Sequence, residues 1–266
     1  MSLLQPLAAM PRAARAGIRG VLADIDDTLS THGRLTADAY AAMEHLRAAG
    51  KLVIPITGRP AGWCDHIARM WPVDAVVGEN GAFYMRHDDA ARRLVRRFAT
   101  GADERVAHRT RLAAIGDSIL RAVPGAALAS DQHYRETDLA IDFCEDVTPL
   151  PREAVDRIVA LMAAEGMTAK VSSIHVNGWF GGYDKLQMTR TLLGEVFATD
   201  LDATRDRFVF VGDSPNDASM FAFFPHSVGV ANVRPFLDRI AIPPAYITQR
   251  EAGAGFVELA DALLAP

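Results

Sequence analysis

Three carboxylates crowd the end of one apolar run. In GVLADIDDTLS (20–30), Asp24, Asp26 and Asp27 fall within four positions, just before Thr28. Like charges this close repel, and burying even one ionised carboxylate without a partner is costly. The cluster therefore needs positive charge from elsewhere. Asp24 and Asp26 stand two apart at the end of a buried strand, where open α/β sheets place ligand sites. Taken alone, such a pair reads more simply as a solvated turn or a helix cap.

Further along, the same arrangement recurs with different chemistry. The run KLVIPIT ends in TGRP, which puts the Thr57 hydroxyl, Gly58 and free main-chain N–H groups at a helix start, a ready anion site. The run FVFVG leads into GDSPND, so Asp213, Asn216 and Asp217 lie at a strand-to-helix junction. Carboxylates and an amide are the oxygen ligands that a hard divalent cation prefers. Lys185 opens a helix, where its charge opposes the helix dipole unless it faces anions. GENGA (78–82) reads as an ordinary turn that lines the site through Asn80 and Gly81 and carries no chemistry.

These groups need a scaffold, and the chain alternates apolar β-branched runs with amphipathic segments in the manner of a parallel sheet covered by helices. IRGVLADI, KLVIPIT and DAVVGE are expected strands. Between them lie the helices TADAYAAMEHLRAAG, capped by Thr36 and ended by Gly50, and PAGWCDHIARMW, with Pro60 at its first turn. The pattern returns from YDKLQMTRTLLGEVF through RFVFVG, NDASMFAFF, SVGVA, a short helix near RPFLDRI, AYIT and GFVELADALL. The two ends thus form one sheet. Between about Met85 and Phe180 the pattern changes to a basic segment, a helix near Asp103–Val123, DLAIDF, the helix PREAVDRIVALMAAEG and the paired runs TAKVSS and IHVNGWF. That is the signature of an inserted α+β unit. The division expected is a core of 1–84 and 181–266 around an insertion of 85–180.

The chain has 266 residues, 50% of them apolar and 23% charged. Such a composition suits a soluble protein with a sizeable core. A net charge of −5 argues against nucleic acid or an anionic membrane surface as partner. Cys64 and Cys144 belong to no close Cys/Cys or Cys/His spacing, so no zinc or disulfide framework is expected and a cytoplasmic setting fits. The first 20 residues read as a loose lead-in, and no run approaches the roughly 20 apolar residues of a membrane span.

The set DIDDT (24–28), TGR (57–59), Lys185 and GDSPND (212–217), in this order and spacing, resembles the four motifs of the haloacid dehalogenase (HAD) phosphohydrolases. It looks most like the Cof-like (IIB) branch, whose cap domain is inserted between the second and third motifs. Asp27 departs from the glycine of many relatives, as it does in sugar phosphatases of that branch. The resemblance implies an α/β fold, a Rossmann-like doubly wound parallel-sheet core with an inserted α+β cap. It also implies a phosphatase that uses Mg2+ and an aspartyl-phosphate intermediate. By it, Asp24 is the nucleophile and Asp26 the general acid and base; Thr57, Gly58 and Lys185 bind the phosphoryl group. The metal ligands are Asp24, the main-chain carbonyl of Asp26, and Asp213, supported by Asn216 and Asp217.

The stretches SDQHYRETDLAIDF and SSIHVNGWFGGYDK are similar to those of sucrose-phosphate and mannosyl-3-phosphoglycerate phosphatases, which implies a small sugar phosphate as substrate. Arg135, Glu136, Asp138, His175 and Asn177 are then the candidate sugar contacts, while RRLVRR is a solvated face. Two alternatives stay open. IHVNGWFGGYDK is also similar to phosphomannomutase relatives, which would return the phosphoryl group to the sugar. A non-enzymatic phospho-aspartate receiver also clusters aspartates, a threonine and a lysine, but on different strands.

Overall fold

The computed structural model describes residues 4–265. Its central sheet has six parallel strands in the order Gln5–Pro6, Tyr246–Ile247, Val228–Gly229, Phe208–Gly212, Gly20–Ala23, Leu52–Pro55. A bridge from Ile56 to Val77 brings Val76–Gly78 alongside. The inner strands Phe208–Gly212 and Gly20–Ala23 are buried on both faces, so they read as continuous apolar runs instead of alternating ones. Period two still sorts their side chains. Val21, Ala23, Val209 and Val211 join Met43, Leu46, Ile67, Phe256 and Leu259 in one apolar layer. Leu22, Ile54, Phe208 and Phe210 join Leu192, Leu193, Met220 and Phe221 in the other. This is a doubly wound sheet with helices on both faces.

The helix Ala37–Ala48 begins where Thr36 Oγ1 accepts from Ala39 N at 3.3 Å. Gly50 follows its end in the left-handed region at φ +77°, as helix ends commonly require. The lead-in is not loose where it is described. Gln5–Pro6 forms the sheet's outer strand, Leu7 and Met10 are buried, and Arg12–Gly17 is helical. An edge strand tolerates proline because one side of it needs no N–H donor. Residues 1–3 of that segment lie outside the described residues.

The segment 85–180 contains two structural parts. The hairpin Phe83–Asp88 and Arg93–Phe98 runs antiparallel to Val76–Gly78, and Phe83 and Met85 pack into the core layer. Its basic strand faces water, with Arg96 paired to Asp65 and Arg97 to Glu195. The second part is an antiparallel sheet in the order Thr168–Val171, His175–Trp179, Asp138–Asp142, Ala127–Leu128. The helices Ala102–Ala122 and Arg152–Ala164 cover one face, where Leu139, Ile141 and Val176 meet Leu112, Ile115, Ile119, Ile158 and Met162. The alternate residues, Asp138, His175 and Asn177 among them, are buried on the opposite face, which closes over the core. Among the described residues no helix is long and apolar enough to cross a membrane.

Candidate functional site

Adjacent central strands end side by side, and their ends deliver the chemistry. Asp24 follows Gly20–Ala23, Asp213 follows Phe208–Gly212, and Asp24 N donates to Val211 O at 2.9 Å. One oxygen from each of Asp24, Asp213 and Asp217 falls within a 4.8 Å span, and all three side chains are buried. Lys185 supplies the missing positive charge: its Nζ donates to Asp24 Oδ1 and to Asp217 Oδ1, both at 2.7 Å. Burial alone would lower the Lys185 pKa, but Asp217 and Asp24 override it and raise it, so the ammonium stays charged.

Lys185 arrives there because its helix, Lys185–Phe197, starts against the GENGA turn. Asp184 caps it by accepting from Gln187 N at 2.7 Å. Gly81 lies under that start at φ +105°, and a Cβ on it would collide with the Asp184 carbonyl. Only glycine fits.

Asp217 is fully committed, since its Oδ2 also accepts from Asp213 N at 3.1 Å and Ser214 N at 3.4 Å. Asp213 is not: its Oδ1 is buried without a partner. Asn232 Nδ2 reaches Asp213 Oδ2 at 3.3 Å and Asp27 O at 2.9 Å. Burial pushes the Asp24 carboxyl well above the usual range, against the pull of Lys185. Burial, then the charges of Asp24 and Asp217, do the same to Asp213. A divalent cation fits this donor set. It would meet hard oxygen ligands, satisfy the orphaned Asp213 Oδ1 and keep both carboxyls ionised.

Thr57 is buried at the end of Leu52–Pro55, one residue beyond Ile56, and its Oγ1 accepts from Arg59 N at 3.0 Å. Asn216 Nδ2 reaches Asn80 Oδ1 at 3.4 Å, and Asn80 Nδ2 is another buried orphan. Asp26 sits at the mouth, where Arg59 Nε donates to Oδ1 at 2.9 Å and to Oδ2 at 3.0 Å. The same guanidinium crosses to the covering unit, reaching Asp131 Oδ2 at 3.1 Å and Glu145 Oε1 at 2.6 Å. It also stacks 4.4 Å from the Trp63 ring centre. The space left between Asp24, Asp26, Gly58, Ser173, His175 and Asn177 is about 10 Å³. That is room for a single water.

A second junction lies behind Arg59. Glu79 is fully buried, with φ +42°, followed by Asn80 at φ +54°. Its Oε1 accepts from Ala61 N and Glu136 N, each at 2.9 Å, and its Oε2 from Thr137 N at 2.7 Å and from the Thr137 hydroxyl. Burial, then the charge of Asp138, pushes its pKa up to about 7 against those hydrogen bonds and Arg135.

The structure brings Asp24, Asp26, Thr57, Gly58, Lys185, Asp213, Asn216 and Asp217 together, with His175 and Asn177 lining the same cavity. Arg135 and Asp138 are buried at the junction and spend themselves on each other at 3.0 Å, while Asn177 Nδ2 donates to Asp138 Oδ2 at 2.9 Å. The Glu136 side chain turns away to Arg109 on the surface, 3.3 Å off, so the site receives only its neighbours. Sequence reasoning assigned no role to Arg59, Glu79, Asp131, Glu145 or Asn232. Arg59, Glu79 and Asp131 stood inside quoted stretches without a role of their own; Glu145 and Asn232 gave no local signal. Asp27, the departure noted above, has φ +54°. Glycine and aspartate are among the residues that tolerate this left-handed backbone.

No protein-family model and no curated protein matches the chain. Solved structures do. A protein of Thermoplasma acidophilum superposes with TM-score 0.69 at 17% identity, over 92% of this chain and 98% of its own. The sucrose-phosphatase of Synechocystis, solved with sucrose and phosphate, gives 0.63 at 17%, over 92% and 97%. A phosphatase of the HAD enzyme superfamily from Bacteroides thetaiotaomicron gives 0.61 at 17%, over 97% and 98%. Likeness over nearly the whole of both chains shows a shared fold, insertion included.

Proposed function

We propose that this chain, built on the haloacid dehalogenase fold, is a Mg2+-dependent phosphatase that hydrolyses a small phosphate monoester, a sugar phosphate, through an aspartyl-phosphate. One observation carries the reading: Lys185 holds the buried Asp24 beside the unpartnered oxygen of Asp213. That is a nucleophile, a phosphoryl-binding cation and a metal ligand together at one end of the central sheet. The neighbouring structures named for phosphatases support it.

Asp24, the main-chain carbonyl of Asp26 and Asp213 would hold Mg2+, with Asn216 and Asp217 behind them, and the bound ion would set positive charge against the phosphoryl oxygens. Asp24 attacks phosphorus in line, the bond to the leaving oxygen breaks, and Asp26 delivers a proton to that oxygen. Lys185 and the Thr57 hydroxyl bind the phosphoryl oxygens where charge develops. Asp26 then takes a proton from water, which attacks the aspartyl-phosphate and frees inorganic phosphate and Asp24. Both oxygens of Asp26 accept from Arg59 in the closed site, so Arg59 must yield one for the proton to be carried.

In this reading the sheet 127–179 acts as a cap over this chemistry, and the hairpin Phe83–Phe98, paired with Val76–Gly78, is counted with the core. Only about 10 Å³ is free beneath it. The cap therefore opens to admit an ester. The unpaired Cys64 and Cys144 support a cytoplasmic enzyme. The test is phosphate release from a panel of monoesters rich in sugar phosphates, with Mg2+ and then with excess EDTA. Metal-dependent release is expected; release unaffected by EDTA would overturn the metal assignment, and sugar isomerisation without release would favour a mutase.

A further inference from the structure

Asp213 has one oxygen that is hydrogen-bonded and one that is not, and a side chain far along the sequence decides which is which. The strand Val228–Gly229 pairs in parallel with Val211 and Gly212, and Val230 N continues the ladder by donating to Gly212 O at 3.1 Å. Asn232 follows two residues later and so stands beside Asp213. Its amide meets partners from three segments. Nδ2 donates to Asp27 O at 2.9 Å and to Asp213 Oδ2 at 3.3 Å, while Oδ1 accepts from Ala252 N at 2.9 Å.

Those partners fix the orientation of the amide. A main-chain N–H can only donate, so the atom that faces Ala252 N is the oxygen. Both hydrogens of Nδ2 are then used, one on a carbonyl and one on a carboxylate. Ala252 offers its N–H at the start of the helix Ala252–Leu264 with φ +49°, and Asp27 offers its carbonyl with φ +54°. Left-handed backbone at residues other than glycine persists where surrounding bonds compensate for it, and Asn232 supplies a bond to each.

The consequence falls on Asp213. With Oδ2 filled by Asn232, Oδ1 is the oxygen left buried and unpartnered, and the adjacent Ser214 hydroxyl donates to Asn216 Oδ1 at 2.9 Å instead. Among the described residues no other hydrogen bond reaches Asp213 Oδ2. Without that donor nothing would stop the carboxylate from turning about its side-chain bonds and presenting neither oxygen in a fixed direction. Asp24 and Asp217, the other members of the acidic cluster, have Lys185 to hold them.

We infer that Asn232 is a positioning residue for the metal centre: it occupies Asp213 Oδ2, so that Oδ1 is the oxygen presented to a divalent cation, and it ties the loop after the nucleophile Asp24 to the loop of Asp213. The inference rests on the metal assignment above and adds to it a residue outside the four motif stretches. A group that hydrogen-bonds a metal ligand fixes its direction, and losing that group weakens metal binding by about 10- to 100-fold.

The experiment is calorimetric titration of Mg2+ into the metal-free protein with no ester present, alongside urea unfolding. Asn232→Ala should raise the Kd for Mg2+ about 10- to 100-fold. Ser227→Ala is the control for a merely structural loss, because Ser227 Oγ donates to Phe221 O and accepts from Ala245 N, each at 3.1 Å, and neither partner belongs to the acidic cluster. It should lower stability and leave the Kd unchanged. Should Asn232→Ala not fold, Asn232→Ser, which keeps one donor, is judged by the same criterion. A Kd in the Asn232 variant within about 3-fold of the wild type, or an equal weakening in Ser227→Ala, would overturn the inference and leave the phosphatase standing. Phosphate release by a wild-type protein that binds no Mg2+ would overturn the metal assignment and this inference with it.

Discussion

Glu79 makes the junction between core and cap pH-dependent, and the size of the effect follows from its surroundings. Its carboxyl is fully buried among donors from both units, and its pKa stands at about 7 against an ordinary 4.5. Arg135, Asp138, Cys64 and Tyr183 are the other titratable groups around it. A carboxyl whose folded pKa is raised contributes stability that is complete below the unfolded value and lost as pH climbs through the folded one. Each pH unit is worth about 1.4 kcal/mol. The shift from 4.5 to about 7 therefore corresponds to about 3 kcal/mol. Glu79→Gln keeps the volume but cannot ionise. It also turns an amide donor toward N–H groups, so it should be the less stable protein at low pH. Its deficit should then narrow by about 3 kcal/mol between roughly pH 4.5 and roughly pH 8.5 as the wild type loses its own contribution. Urea unfolding of both proteins across that range measures the difference, with the titrating groups remote from Glu79 cancelling. A difference that stays flat, or widens with pH, would refute the reasoning.

Lys185→Gln leaves Asp24 and Asp217 facing each other without their cation. It should cost about 3–5 kcal/mol in urea unfolding, and phosphate release should vanish. Gly81→Ala should destabilise strongly and lose activity, because its Cβ would run into the Asp184 carbonyl. Gly33, also at positive φ, has open space around it. Gly33→Ala should cost only about 1 kcal/mol; equal melting temperatures for the two variants would discredit the packing argument. Arg59→Lys keeps one charge but loses the fork that spans Asp26, Asp131 and Glu145. Cap residues should then be cut faster in limited proteolysis, and an unchanged rate would deny Arg59 its bridging role.

The sequence showed those parts whose cause is local. Asp24 and Asp213 stood out because acidic residues ended apolar runs, and the two-layer sorting of Val21 and Leu22 follows from strands buried on both faces. The cap strands and helices were legible for the same reason, since Asp138–Asp142 and His175–Trp179 alternate cleanly between helices and site. Long-range pairings were not legible. Arg59 meets Glu145 across 86 positions and Glu79 meets Thr137 across 58, and no spacing announces either. GENGA looked like a plain turn because the left-handed backbone of Glu79 and Asn80, not their composition, aims a carboxylate inward. Gln5–Pro6 is too short to show any period, so only its pairing with Tyr246–Ile247 reveals a strand.

The nucleophilic role of Asp24 is the centre of the account, and acid-quenched turnover of an ester labelled in its phosphoryl group tests it most directly. Peptide mapping of the quenched wild-type protein should find the label on the segment carrying Asp24, and Asp24→Asn should carry no label and release no phosphate. Steady phosphate release with no label on that segment, or turnover surviving in Asp24→Asn, would contradict it.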